Sequence, residues 1–176
     1  MRPRARAGAR RARLIAVVRA VLGDALLVAA YALRPLDRPV AESLLLLALG
    51  LLVLLGLVVL QVRAVARSPY PVLRAVEATV TTAVVFLLLF ATGYLALSGA
   101  DPGAFSEPLD HVGAVYLTTT VLATVGFGDV VPVSDLARVV VTVQMVCGLA
   151  LVGLVGRQLL ASGRRAREAR HAPGTE

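Results

Sequence analysis

The sequence predicts an all-α integral membrane protein: four membrane-spanning helices, with a short re-entrant helix and a glycine-containing loop before the last of them. Three observations predict it. Of the 176 residues 58% are hydrophobic, more than the roughly half found in a soluble domain, and the mean hydropathy is +0.82. The excess gathers in four stretches, Leu14 to Leu33, Ser43 to Val62, Ala75 to Leu97 and Leu136 to Leu160. Each is long enough to cross about 30 Å of hydrocarbon. Basic residues alternate from connector to connector, as a chain threading a bilayer requires.

The order of elements follows from charge. Arg2, Arg4, Arg6, Arg10, Arg11 and Arg13 make residues 1–13 a basic, cytoplasmic N-terminus, because positive connectors stay inside. The first two spans and their connectors occupy 14–71. Arg34 and Arg38 balance Asp37 and Glu42 in the first connector, whereas Arg63, Arg67 and Arg74 surround the second. The third connector holds Asp101, Glu107, Asp110, Asp129 and Asp135 with no basic residue before Arg138, and 161–176 is a basic tail. Both termini are expected inside and the acidic connector outside, in a multi-pass protein of the cell membrane. An alternative for the start is a signal peptide ending at Ala30-Tyr31-Ala32. Arg19 and Asp24 interrupt its apolar region and argue against it. Asp24, near the middle of the first span, is either paired structurally with a neighbour or a proton sensor, since charge at that depth is expensive.

Between the third and fourth spans the pattern changes. Ser98, Gly99, Asp101, Pro102, Gly103 and Pro108 read as a loop. His111 to Ala123 is apolar, Thr-rich and too short to span, with Asp110 placed to cap its free N–H groups. His111, at its outer start, is a second candidate pH sensor. The run Thr124-Val125-Gly126-Phe127-Gly128-Asp129 follows. Glycines at alternate positions admit backbone angles closed to other residues. An extended run with its carbonyls on one side can replace the water around a dehydrated cation, and the Thr124 hydroxyl would add an oxygen ligand. Oxygen donors suit hard cations, and the preceding helix would aim the negative end of its dipole at them. One chain supplies one row of carbonyls, so a ring needs several chains. The other account of these glycines, a hairpin between strands, does not suit a run flanked by membrane helices.

In that setting the hexapeptide resembles the selectivity filter of the potassium channels, in the variant with Phe where Tyr is commoner. The resemblance covers about 72–160: an outer helix over 72–97, a pore helix over 111–123, the filter over 124–129 and an inner helix over 135–160. It implies a homotetramer in which the carbonyls of Thr124, Val125, Gly126 and Phe127 hold K⁺, the permeant ion and the only metal expected. Gly128 and Asp129 would form the outer mouth, with Asp129 bracing the filter from behind and Tyr116 and Thr120 supporting it. Phe127 lacks the hydroxyl of the commoner form, Tyr116 is the lone pore-helix aromatic, Ala123 replaces a second Thr, and Thr120 stands where some relatives have Glu. These departures bear on inactivation and conductance.

Gly148 lies where the family's inner helix has a hinge glycine; Gly153 and Gly156 read as small residues for close packing. Apolar Leu149, Val152 and Val155 would line an inner pore able to gate by dewetting. No span carries the regularly spaced Arg of a voltage sensor, and sixteen residues after Leu160 are too few for a folded ligand-binding domain. No catalytic constellation, phosphate loop or metal cluster is present, so no enzyme, cofactor or small-molecule substrate is expected. The net charge of +7 comes from 18 Arg at the ends of apolar spans, not on an aromatic-studded face, which argues for membrane lipids and against nucleic acid as partner. Cys147 is the only cysteine, so no intrachain disulfide forms. The expected function is passive, selective K⁺ conduction; a general cation pore and a non-conducting modulatory subunit are the alternatives.

Overall fold

The computed structural model describes residues 22–31, 40–66 and 71–171. All five elements are α-helices: α1 over Leu22–Tyr31, then α2 (Val40–Ala66), α3 (Pro71–Ala100), α4 (His111–Leu122) and α5 (Asp135–His171). Stretches of α2, α3 and α5 are long and apolar enough to cross a membrane: Leu44–Val65, Val72–Ala100 and Asp135–Arg157. α1 is the described part of the expected first span; the rest of that span, the basic N-terminus, the first connector and Arg67 lie outside the described residues.

α3 is the central helix and packs against α2, α4 and α5. Its buried side is an aromatic row at helical spacing: Phe86 and Phe90 lie 4.8 Å apart, Phe90 and Tyr94 6.5 Å apart, and Tyr94 meets Phe105 edge-on at 5.6 Å. Apolar helices in lipid gain little from hydrophobic contact with one another, so close packing and interhelical hydrogen bonds must hold them. Both appear between α2 and α3. A Cβ on Gly50 would lie 2.3 Å from Leu89 Cδ1, and the Thr82 hydroxyl donates to Gln61 Oε1 at 2.6 Å.

The connector 101–110 folds back on the segment that follows the glycine run. Ser106 N–H donates to the Val131 carbonyl at 2.9 Å and Val133 N–H to the Ala104 carbonyl at 2.8 Å, around a bridge between Phe105 and Pro132. The buried Ser98 hydroxyl accepts from Leu109 N–H at 2.7 Å. Expected and observed boundaries of α4 agree within a residue. α5 does not stop near Leu160: it continues to His171, because Arg157 to His171 holds good helix formers and a single Gly163 before Pro173.

Candidate functional site

The site is built at the C-terminal end of α4. Asp110 caps the start of this helix as the sequence predicts, its carboxylate accepting from Gly113 N–H at 2.7 Å. At the other end Ala123 stays helical, and Thr124 N–H donates to the Val121 carbonyl at 3.1 Å. The chain then leaves the helix in an unusual way. Thr124, Gly126 and Gly128 have φ of +58°, +54° and +77°, whereas Val125 and Phe127 are not in the positive-φ region. A positive φ is uncommon outside glycine and an outlier for a β-branched residue. Thr124 therefore holds a strained conformation, the kind that persists where the surroundings enforce it and that clusters at functional sites.

What enforces it is visible in the hydrogen bonds. The Thr120 carbonyl accepts from Val125 N–H at 3.0 Å and from Gly126 N–H at 3.4 Å, so the strand is folded back onto the last turn of α4. The Thr120 hydroxyl donates to the Leu117 carbonyl at 2.9 Å and so points into its own helix. Tyr116 reaches Asp129 instead: its hydroxyl donates to Asp129 Oδ2 at 2.5 Å, and its ring stacks parallel to Phe127 with centroids 6.5 Å apart. Asp129 Oδ1 accepts from Val130 N–H at 2.9 Å. The Tyr116 hydrogen bond, with that backbone N–H, holds the Asp129 carboxyl below the ordinary aspartate value. Val125 and Phe127 are 54% and 71% exposed.

Three features here go beyond what the sequence reading named. Ser106 accepts from Val131 N–H at 3.0 Å and donates to the Asp129 carbonyl at 3.4 Å, clamping the segment just past the glycine run. Gln144, in the middle of an apolar helix, is fully buried and donates to the Thr118 carbonyl at 2.8 Å. The Tyr94 hydroxyl donates to the other end of the same amide. A lone Gln in a membrane helix was the available signal.

Gly148 is buried, and a Cβ there would lie 3.0 Å from Leu122 Cδ1, while Gly153 and Gly156 meet nothing within 4 Å in this chain. Close approach within the chain therefore belongs to Gly148 rather than to the other two. α5 runs helically through all three. Asp24 and His111 stand away from the glycine run. Asp24 Oδ2 accepts from the Thr81 hydroxyl at 3.4 Å. The Tyr31 hydroxyl donates to the His111 carbonyl at 2.9 Å, and the two rings meet edge-on at 5.3 Å. His111 Nε2 is buried without a hydrogen-bond partner. Among the described residues no cluster of His, Cys, Asp or Glu suits a metal held by side chains.

Part of this sequence is similar to known proteins. Residues 82–161 match the ion channel family. That stretch takes in most of α3, all of α4, the glycine run and α5 past Leu160. Over 90 residues the chain is 37% identical to the calcium-gated potassium channel TvoK of Thermoplasma volcanium, a match covering 49% of this chain and 26% of that one. Over 65 residues it is 34% identical to the inward rectifier potassium channel Kirbac3.1 of Paramagnetospirillum magnetotacticum, covering 35% of this chain and 20% of that one. The chain thus spans only about a quarter and a fifth of the length of these relatives. No solved structure matches it. The ion channel match and the apolar helices make this a membrane protein.

Proposed function

We propose that the chain is one subunit of a tetrameric potassium channel that conducts K⁺ passively, with 124–129 as its selectivity filter. The observation that carries this reading is the alternation of positive φ at Thr124, Gly126 and Gly128. In an ordinary strand successive peptides point opposite ways. Reversing the hand at every second residue turns the alternate peptides over and brings the carbonyls to one side. Four such rows around an axis would enclose dehydrated K⁺ between the oxygens of Thr124, Val125, Gly126 and Phe127. The match of 82–161 to ion channels and the two relatives named as potassium channels support the same reading.

Fourfold assembly accounts for surface that one chain leaves open. Val139, Val146, Leu149 and Val152 on α5, with Val125 and Phe127, are large apolar residues at least half exposed. Neighbouring subunits and the pore would take that face, while the Leu-rich outer side of α2 would meet lipid. Two peripheral helices would precede the pore unit, and both termini would lie in the cytoplasm. Gly148 would be the inner-helix hinge, and Asp129 the charge at the outer mouth.

Flux from liposomes containing the purified chain tests the reading. K⁺ is expected to pass well ahead of Na⁺, and Gly126→Asp to abolish flux, since it puts a side chain at φ +54° and a charge in the filter. Equal passage of Na⁺ would replace the reading with a general cation pore. Flux that ignores Gly126 would reject the filter altogether.

A further inference from the structure

The buried polar contact between α5 and α4 sits at Thr118, nearly two helical turns before the glycine run. Tyr94 on α3, Gln144 on α5 and Thr118 on α4 are all fully buried. Tyr94 donates to Gln144 Oε1, and Gln144 Nε2 donates to the Thr118 carbonyl at 2.8 Å. One amide thereby joins the outer helix, the inner helix and the pore helix. Four residues further along both partners a second contact repeats it, where Gly148 lies against Leu122. Positions four apart share one face of a helix, so α5 touches α4 at two successive turns in matched register. Leu122 is the last residue of α4. Thr120, between the two contacts, is the residue whose carbonyl holds Val125 and Gly126 N–H.

We propose, resting on the channel reading above, that Gln144 is a positioning residue that couples the inner helix to the filter. The amide fixes the roll and height of α4 relative to α5. Any displacement of α5 at Gly148 reaches α4 at Leu122 and Thr118, and from there the Thr120 carbonyl and the strained Thr124. Apolar packing alone would hold the helices together without fixing this register, because a smooth contact slides. A hydrogen bond in a site without water does not slide, since breaking it leaves a donor and an acceptor unpaired. Tyr94 orients the amide by engaging its oxygen, which leaves the nitrogen for Thr118.

The test compares Gln144→Met, Tyr94→Phe and the double variant with the wild-type full chain in planar bilayers, with assembly and melting temperature followed in detergent. Gln144→Met keeps the side-chain length and removes both hydrogen-bonding ends. It is expected to change the Na⁺/K⁺ permeability ratio or the rate of current decay by at least about three- to tenfold, the range that one of the two lost hydrogen bonds commands. Tyr94→Phe should act in the same direction and less, and the double variant should match Gln144→Met, because both substitutions act through one amide. A purely structural role would lower the melting temperature and leave both electrical quantities alone. Wild-type behaviour from an assembled Gln144→Met protein overturns the coupling, as do effects that simply multiply in the double variant. If Gln144→Met does not assemble, Tyr94→Phe decides by the same criteria. A wild-type protein that conducts no K⁺ under any voltage or pH overturns the channel reading itself, and the coupling with it.

Discussion

Thr124 and Asp129 stand at the two ends of the glycine run and are held by opposite means. Thr124 is forced into a left-handed turn that costs a β-branched residue on the order of 1–2 kcal/mol, and the folded-back N–H groups of Val125 and Gly126 offset that cost. Asp129 is held by attraction. The Tyr116 hydroxyl and Val130 N–H favour its ionised form and keep its carboxyl below the ordinary 3.8. Stabilisation from a lowered carboxyl is complete above the ordinary value and is lost as pH falls through the folded one. The wild-type chain should therefore keep this contact down to pH values below 3.8. Tyr116→Phe removes the larger of the two causes and should move the acid loss to higher pH. A melting curve or K⁺ flux measured against pH checks the direction, and an unchanged acid limb would count against the Tyr116–Asp129 bond. The resemblance to the potassium-channel filter put Tyr116 and Asp129 in one site. It could not pair them, because the turn that joins them also depends on a positive φ at Thr124, which its residue type does not announce.

At the scale of helices, the contact of α4 with α5 decides how much change the site tolerates. Gly148 has no room, since even a Cβ would stand 3.0 Å from Leu122 Cδ1. Gly148→Val is expected to destabilise the protein by about 1–3 kcal/mol through overpacking. Gly153→Ala has open space around it in this chain and should be neutral or stabilising by up to about 1 kcal/mol. Thermal unfolding in detergent distinguishes them, and an equal loss at both positions would reject this packing account. The helices themselves were largely legible, because apolar runs of membrane length leave few readings and Asp110 marks the start of α4. The length of α5 was not, because the charged run after Arg157 reads as a topological anchor while its backbone remains favourable to helix. Nor was the Gln144 contact: a polar residue in an apolar stretch of helix announces a partner without saying which.

For the molecule as a whole, α1 is attached to α3 and to α4 at two points along its length. Asp24 meets Thr81 on α3, and Tyr31, seven residues on, meets the first residue of α4. Tyr31 thus bears on the start of α4 while Gln144 bears on its C-terminal half. Tyr31→Phe keeps the ring against His111 and removes the hydrogen bond. Amide exchange in the first turn of α4 is expected to quicken about three- to tenfold, the range of one hydrogen bond. Mass spectrometry of exchanged peptides would show it, and an unchanged rate would make the Tyr31 contact incidental.

The extent of α5 has a mechanical side. Its 37 residues make a rod about 55 Å long at 1.5 Å per residue, well beyond the ~30 Å of hydrocarbon it must cross. Were α5 to tilt as one rigid rod about its contact with Leu122 at Gly148, rather than bend there, the arm to His171 would be about 34 Å and the arm to Gln144 about 6 Å. Leverage of about six to one follows. A sub-ångström adjustment where Gln144 meets α4 then corresponds to several ångströms of travel at the far tip. A modest load applied there would arrive at the Gln144 contact multiplied by the same ratio.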